Sequence, residues 1–361
     1  MYKIIEFNNE EVYINDFINL SHKLYYKKEF MQNDLELRQL LLNKHIFSKY
    51  FNIRKFLVYK DNIAVSRVAL IFYENDNNVY FGFFETENNL EAVKILFKKI
   101  NEEAKQNNKE KIIGPVNASF WIGYRLKINN FNDLPYIGEP YNKDYYYNLL
   151  RQVNFLDYEK YYTNFYNKPH KKYMNSKTNK RYNYFKEKNY EIKTLADFKN
   201  KEDTCYILYD LIIDLYKNFP IFKWISKEDY YNYTKNNYKI CNYKMQKLYY
   251  YNNKPVAFCV TFPNYNNLLL QNTNIPKLQI LKRKFKSKQY VILYMGVKKQ
   301  HSGLGLAMIN EVIKDIKSKK AYPIGALIKS GKVTAKYINE EIIKQNEYVL
   351  LYKECNKKED I

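Results

Sequence analysis

Glycine is scarce in this chain, with nine residues in 361. Cysteine is scarcer, with four residues and none before Cys205. Cys205, Cys241, Cys259 and Cys355 are widely spaced and form no C-x-x-C pair, which argues against a disulfide framework and a cysteine-based zinc site. A reduced, cytoplasmic setting fits that usage. His22, His45 and His170 are scattered and suggest no metal site. No apolar run reaches the roughly 18 residues of a membrane span. The opening MYKIIEFNNEEVYIND lacks the basic and apolar segments of a secretion signal, so no membrane partner is expected. Arginine is the last shortage, at seven of 60 basic residues.

That shortage tempers the meaning of the net charge of +22. A basic chain invites a nucleic-acid reading, but Arg is the side chain whose fork best reads bases and phosphates. Lys is interleaved with Asn, Tyr and Ile throughout, as on solvated faces. Nucleic acid is therefore not the expected partner, although a basic surface draws anionic ligands such as a nucleotide-bearing cofactor. Tyrosine is abundant, and with 40 of them no single one carries much weight.

What is present is patterned secondary structure. In the first half NDLELRQLLLN has helical spacing, and NNLEAVKILFKKINEEAKQNN aligns Leu90, Val93, Leu96, Phe97 and Ile100. KFLVYKDNIAVSRVALIFYEND predicts a hairpin turning at Asp61-Asn62, followed by a strand in NVYFGFFET and a short one ending at Gly114-Pro115. A short helix ends in NLLRQVNF, and the aromatic run DYEKYYTNFY follows it. Residues 168–189 are basic and poor in aliphatic side chains, which predicts a linker with a tail able to pair as a strand. The second half repeats the order. Strand YEIKTL precedes helices in DTCYILYDLIIDLYKNF and SKEDYYNYTKNN, then a hairpin in KMQKLYYYNNKPVAFCVTFP. A strand, a helix from about Gly303, strand YPIGALI, helix KVTAKYINEEIIKQ and strand EYVLLYK complete it. The fold class expected is mixed α/β, duplicated over residues 1–167 and 190–361.

Three of the nine glycines fall between Val291 and Ile316, in VILYMGVKKQHSGLGLAMINEVIKDI. A strand runs into a turn, Gly303 and Gly305 follow, and a helix begins with Leu304, Met308, Val312 and Ile316 as its apolar stripe. The first N–H groups of a helix lack intrahelical partners, and with the dipole they attract anions. Glycine lets a phosphate approach without a Cβ in the way. A P-loop would need Lys-Ser/Thr where Leu306-Ala307 stands, and the dinucleotide fingerprint needs a third glycine. The stretch resembles the pyrophosphate loop of the GNAT acyltransferases, R/Q-x-x-G-x-G/A, in two registers. Gln300–Gly305 matches directly. Ser302–Ala307 keeps the usual distance from Val297 and is preferred, although it puts Ser where Arg or Gln is usual. In either register His301, Ser302, Gly303, Leu304, Gly305, Leu306 and Ala307 are the candidate pyrophosphate contacts. The plain alternative is a tight strand–helix turn.

FGFFETENN, GPVNASF, YNKDYYYNLLRQVNF, KPVAFCVTFPNYNN and MGVKKQHSGLGLA extend the resemblance along most of the chain. Their order is that of the bacterial tandem-GNAT N-acyltransferases of the YghO type. The resemblance implies two tandem GNAT-like domains, each a mostly antiparallel mixed sheet flanked by helices. It implies a first domain without a pyrophosphate loop, since TENNLEA has no glycine. The second domain would bind acetyl-CoA or a longer acyl-CoA, with no metal. The implied activity is acyl transfer to the amine of a small molecule, by a monomer or homodimer. By the same resemblance Met295, Gly296 and Val297 present backbone to the thioester, and Tyr337 protonates the leaving thiolate. Tyr294 and Glu85 are further catalytic candidates, Glu85 as a base. The chain departs from the family at YPIGALIKSGKV, where Gly325 and Gly331 stand near an acidic residue and an Asn of the pattern. That departure keeps a non-catalytic acyl-CoA sensor in view. The charge keeps an aminoacyl-tRNA-dependent transferase in view, a class that also uses tandem GNAT halves.

Overall fold

A computed structural model describes residues 1–174, 176–270 and 277–355. Its strands are β1 (Tyr2–Phe7), β2 (Asn52–Lys60), β3 (Ile63–Phe72), β4 (Asn78–Thr86), β5 (Lys111–Gly114), β6 (Leu126–Lys127) and β7 (Leu156–Tyr166). They continue as β8 (Glu191–Thr194), β9 (Gln246–Tyr251), β10 (Lys254–Pro263), β11 (Gln289–Val297), β12 (Tyr322–Lys329) and β13 (Ile342–Glu354). The helices are α1 (Glu11–Leu24), α2 (Asp34–Leu41), α3 (Leu90–Gln106), α4 (Tyr146–Gln152) and α5 (Ser176–Glu187). They continue as α6 (Lys201–Tyr216), α7 (Lys227–Thr234), α8 (Asn237–Ile240), α9 (Lys277–Lys286) and α10 (Leu304–Ser318).

The chain divides into two compact units. Unit 1 holds Met1–Pro135, Pro140–Lys160 and the segment from Glu347; unit 2 holds Tyr136–Glu139 and Tyr161–Asn346. In unit 1 the strand order is β1-β2-β3-β4-β5-β13, antiparallel except for β4 beside β5. In unit 2 it is β8-β9-β10-β11-β12-β7, antiparallel except for β11 beside β12. The parallel pairs are joined by crossover helices α3 and α10.

Local chemistry sets these elements. Asp61-Asn62 and Asn252-Asn253 all have positive φ, between 48° and 65°, as a two-residue hairpin turn of matching twist requires. Helix α3 buries Val93, Leu96, Phe97 and Ile100 over Phe81 and Leu70, and α10 buries Leu304, Met308, Val312 and Ile316 over Tyr249, Cys259 and Ile292. Each such side chain contributes about 1.5–3 kcal/mol by leaving water. All four cysteines are buried free thiols. Among the described residues no helix is long and apolar enough to cross a membrane, and no group of three His, Cys, Asp or Glu could hold a metal ion.

The boundaries expected from sequence shift in three places. Residues 168–189 are not a bare linker, because they contain α5. Asn310 Nδ2 donates to Asn179 Oδ1 at 3.0 Å, and Lys314 lies 3.6 Å from the centre of the Tyr182 ring, so α5 owes its place to α10. The aromatic run DYEKYYTNFY lies in β7, which pairs with β12 through Tyr161, Tyr162, Asn164 and Phe165, so unit 2 starts before residue 190. KVTAKYINEEIIKQ is not a helix. Short 3₁₀ turns at Val333–Lys336 and Asn339–Glu341 lead into β13, and Leu351–Glu354 pair with β5 in unit 1.

Candidate functional site

The site grows from the edge of β11. This strand pairs with β10 along its length, with Leu293 as an extra residue bulged opposite Val260 and Thr261. Its parallel pairing with β12 stops at Ile292 opposite Gly325. Among the described residues, Leu293 to Val297 therefore run on with no ladder on that side, and Met295, Gly296 and Val297 are only half-buried. Glycine is needed at 296 for packing: a Cβ there would lie 2.5 Å from Leu215 Cδ1 and 2.7 Å from Phe258 Cε1. The neighbouring Tyr216 hydroxyl donates to the Met295 carbonyl at 3.5 Å. Tyr294 is 47% exposed on the same strand.

Beyond Val297 the chain makes a 3₁₀ turn at Lys299–His301 and reaches Gly303, the N-cap of α10, at φ +94°. A side chain there would be strained. Gly303 has no side chain to cap this helix, so among the described residues its first N–H groups, from Leu304 onward, are left without a side-chain acceptor. Tyr190 and His301 share a hydrogen bond of 2.7 Å at Nδ1. Burial, reinforced by Lys298, lowers the His301 pKa, so the ring is neutral near pH 7.

Two side chains stand over the glycines. A Cβ on Gly303 would come 3.4 Å from the guanidinium carbon of Arg181, on α5. The other six arginines all engage neighbours, whereas Arg181 has no hydrogen-bond or ion-pair partner among the described residues. A lone cation at the positive end of a helix is unfavourable unless an anion joins it. A Cβ on Gly305 would come 2.8 Å from Tyr337 Oη. Burial raises the Tyr337 pKa, so the phenol keeps its proton.

Tyr337 is held by a buried polar clamp. Asn164, fully buried on β7, donates from Nδ2 to Ala335 O (3.3 Å) and to Tyr166 Oη (3.2 Å), and accepts from Gln345 Nε2 (2.7 Å). The Tyr166 hydroxyl donates to Tyr337 O at 3.4 Å. Ile338 follows at φ +54°, a costly conformation for a β-branched residue that such over-determined packing can hold. Tyr166 also explains Gly325, because a Cβ there would meet its ring at 3.2 Å.

The matching place in unit 1 is closed. Helix α3 starts on Asn89, whose side chain accepts from Ala92 N. Past the β4–β5 pairing, Val116 N donates to Phe81 O at 2.7 Å and Phe83 N to Asn117 Oδ1 at 2.8 Å. A Cβ on Gly82 would lie 2.0 Å from Val116 O, so backbone fills the gap. Glu85 belongs to this unit. Tyr25 and Tyr146 hydroxyls donate to its Oε2 at 2.8 and 2.6 Å, and Arg67 Nη2 stands 4.0 Å from Oε1. Burial raises its pKa against the pull of Arg67. Of the residues expected from sequence, the structure gathers the loop 301–307, Met295 to Val297 and Tyr337 in unit 2, and sets Glu85 in the unit 1 network. Arg181, Tyr190 and Asn164 escaped the sequence reading. A solitary Arg in an Arg-poor segment was the one available signal.

No family model and no curated protein matches this sequence. Solved structures do match its fold. A tandem GNAT protein from the clavulanic acid biosynthesis pathway superposes with a TM-score of 0.54 at 7% identity, covering 99% of this chain and 100% of its own. A GCN5-related glucosamine N-acetyltransferase region of a fungal multi-domain β-N-acetylglucosaminidase gives 0.53 at 9% identity, covering 98% of this chain and 38% of that one. A probable N-acyltransferase from Enterococcus faecalis V583 gives 0.51 at 9% identity, covering 98% and 73%. With a crossover helix and one parallel strand pair in each unit, this chain has the tandem GNAT fold.

Proposed function

We propose that the protein is an acyl-CoA-dependent N-acyltransferase that moves an acyl group from a coenzyme A thioester to the amine of a small molecule, with the donor in unit 2. The observation that supports this best is the contrast between the two helix starts. Helix α3 is capped by its own Asn89 beside a filled sheet edge, whereas α10 starts on an uncapped Gly303 beside an open one. Amides of the loop from His301 to Ala307 would take the pyrophosphate of acetyl-CoA or a longer acyl-CoA. Arg181 would supply, from another helix, the guanidinium that the loop lacks at Ser302. Backbone of Met295, Gly296 and Val297 would face the thioester, where N–H donors stabilise the oxyanion. As the amine nitrogen bonds to the carbonyl carbon and the C–S bond breaks, Tyr337 would donate its proton to the thiolate. Tyr294, exposed on the same strand, is the candidate for the acceptor side, and the amine's proton would leave to solvent.

Titration calorimetry with a series of acyl-CoAs, followed by thiol release over an amine panel, tests this. Saturable binding with amine-dependent release supports it. Binding without turnover over a broad panel would make the protein an acyl-CoA sensor, and failure to bind any CoA ester would end the reading.

A further inference from the structure

Helix α9 turns its apolar side outward. Leu278, Leu281 and Phe285 are 75%, 52% and 48% exposed. At one residue per 100° they fall within an arc of about 60°. The half-buried side carries Ile280 together with charge. Arg283 Nη1 donates to Asn264 O at 3.0 Å and Asn266 Oδ1 at 3.1 Å. Lys284 Nζ donates to Lys239 O at 3.0 Å and lies 4.9 Å from the centre of the Tyr243 ring. A surface helix held by its own core has the reverse polarity. The ridge is flanked by exposed Lys277 and Lys282, with exposed Lys286 and Lys288 beyond, and KLQILKRKFK contains no acidic residue. A leucine and phenylalanine ridge between lysines suits the boundary between acyl chains and anionic headgroups, where long amines reach out to phosphates.

We propose that α9 docks unit 2 on an anionic lipid surface, with Leu278, Leu281 and Phe285 in the interface and Lys277, Lys282, Lys286 and Lys288 on the headgroups. Charge complementarity selects this occupant, because a second copy of a chain carrying +22 would bring like charge to the same lysines. The sequence expectation of no membrane partner rested on the lack of a spanning run, and an in-plane helix needs none. The docking stands apart from the proposed chemistry of the donor loop.

The test is co-sedimentation of the full chain with vesicles of phosphatidylcholine alone and of equal parts phosphatidylcholine and phosphatidylglycerol, at physiological salt. The chain should bind the second and not the first. A Leu281→Ser/Phe285→Ser variant changes only exposed positions, and its thermal midpoint should match the parent's. It should bind about tenfold more weakly or worse, as should Lys282→Glu/Lys286→Glu. Failure of the parent to bind the anionic vesicles would overturn the proposal. So would undiminished binding of the serine variant, which would reduce the effect to diffuse charge. Sedimentation velocity without lipid is the third arm: a dimer abolished by the serine variant would also overturn it by assigning the ridge to a second copy.

Discussion

Replacing Gly305 by alanine should separate stability from chemistry in one methyl group. Gly305 is the second residue of α10, and the added Cβ would lie 2.8 Å from Tyr337 Oη. Real contacts of that kind essentially never fall below 3.0 Å, so the phenol must withdraw by several tenths of an ångström. Alanine favours a helix over glycine by up to ~1 kcal/mol, and a first-turn position gains part of that. Moving the tyrosine off its preferred rotamer costs a similar ~0.5–1.5 kcal/mol. The two offset, so the thermal midpoint should stay within about 4 °C of the parent's. The chemistry has no such offset. A positioned general acid is worth roughly 10²–10⁴ in rate, and a displacement near 1 Å can cost about 10²-fold. At saturating acyl-CoA we expect kcat for thiol release to fall about 10- to 100-fold, apart from any loss of affinity that the Cβ causes at the proposed pyrophosphate loop. In a Tyr337→Phe background the same alanine should cost far less, since the proton donor is already gone. Full kcat in Gly305→Ala, or an equal penalty in both backgrounds, would refute Tyr337 as the acid.

Arg181→Gln should weaken acyl-CoA binding about 10- to 100-fold, the worth of a charge-assisted hydrogen bond, and leave turnover of a pantetheine thioester unchanged; equal loss with both donors would remove Arg181 from the phosphate site. Asn164→Ala removes the donor to Ala335 O and should cost about 1–3 kcal/mol in urea unfolding, with kcat falling more than KM rises. His301 has a pKa held below its ordinary 6.5, so its contribution is complete above that pH and is lost as pH falls below it. Urea midpoints between about pH 7.5 and 5 should therefore slope less in His301→Gln, and parallel slopes would contradict the burial argument. Glu85→Gln takes the negative charge from beside the buried Arg67 guanidinium and should destabilise the protein by about 1–3 kcal/mol. A large kcat loss at unchanged stability would instead make Glu85 the base.

Much of the candidate loop was legible because it is local. Gly303 and Gly305 sit between an apolar strand and an apolar stripe, and the physics of a helix start needs only those dozen residues. The hairpins were legible for the same reason, since Asp61-Asn62 and Asn252-Asn253 tolerate the positive φ of a tight turn. What failed was long-range. Helix α5 shows little apolar periodicity and depends on Asn310 and Lys314 across more than a hundred residues, so Arg181 was missed with it. The stretch around Tyr337 has helix-favouring residues, yet the Asn164 clamp and the left-handed Ile338 hold it in short turns. The partners of β7 and β13 could not be read at all, because strand pairing leaves no mark of its partner in local sequence.

That exchange of strands bears on how the protein is made. The free edge of β5 is covered by Leu351–Glu354, more than two hundred residues later in the chain. On the ribosome, unit 1 must wait with that edge bare until almost all of unit 2 has been synthesised. An unpaired, apolar strand edge is a template for aggregation. Nascent chains that stall before β13 emerges should therefore be strong clients for a chaperone, and splitting the gene between the halves should yield two insoluble fragments rather than two domains.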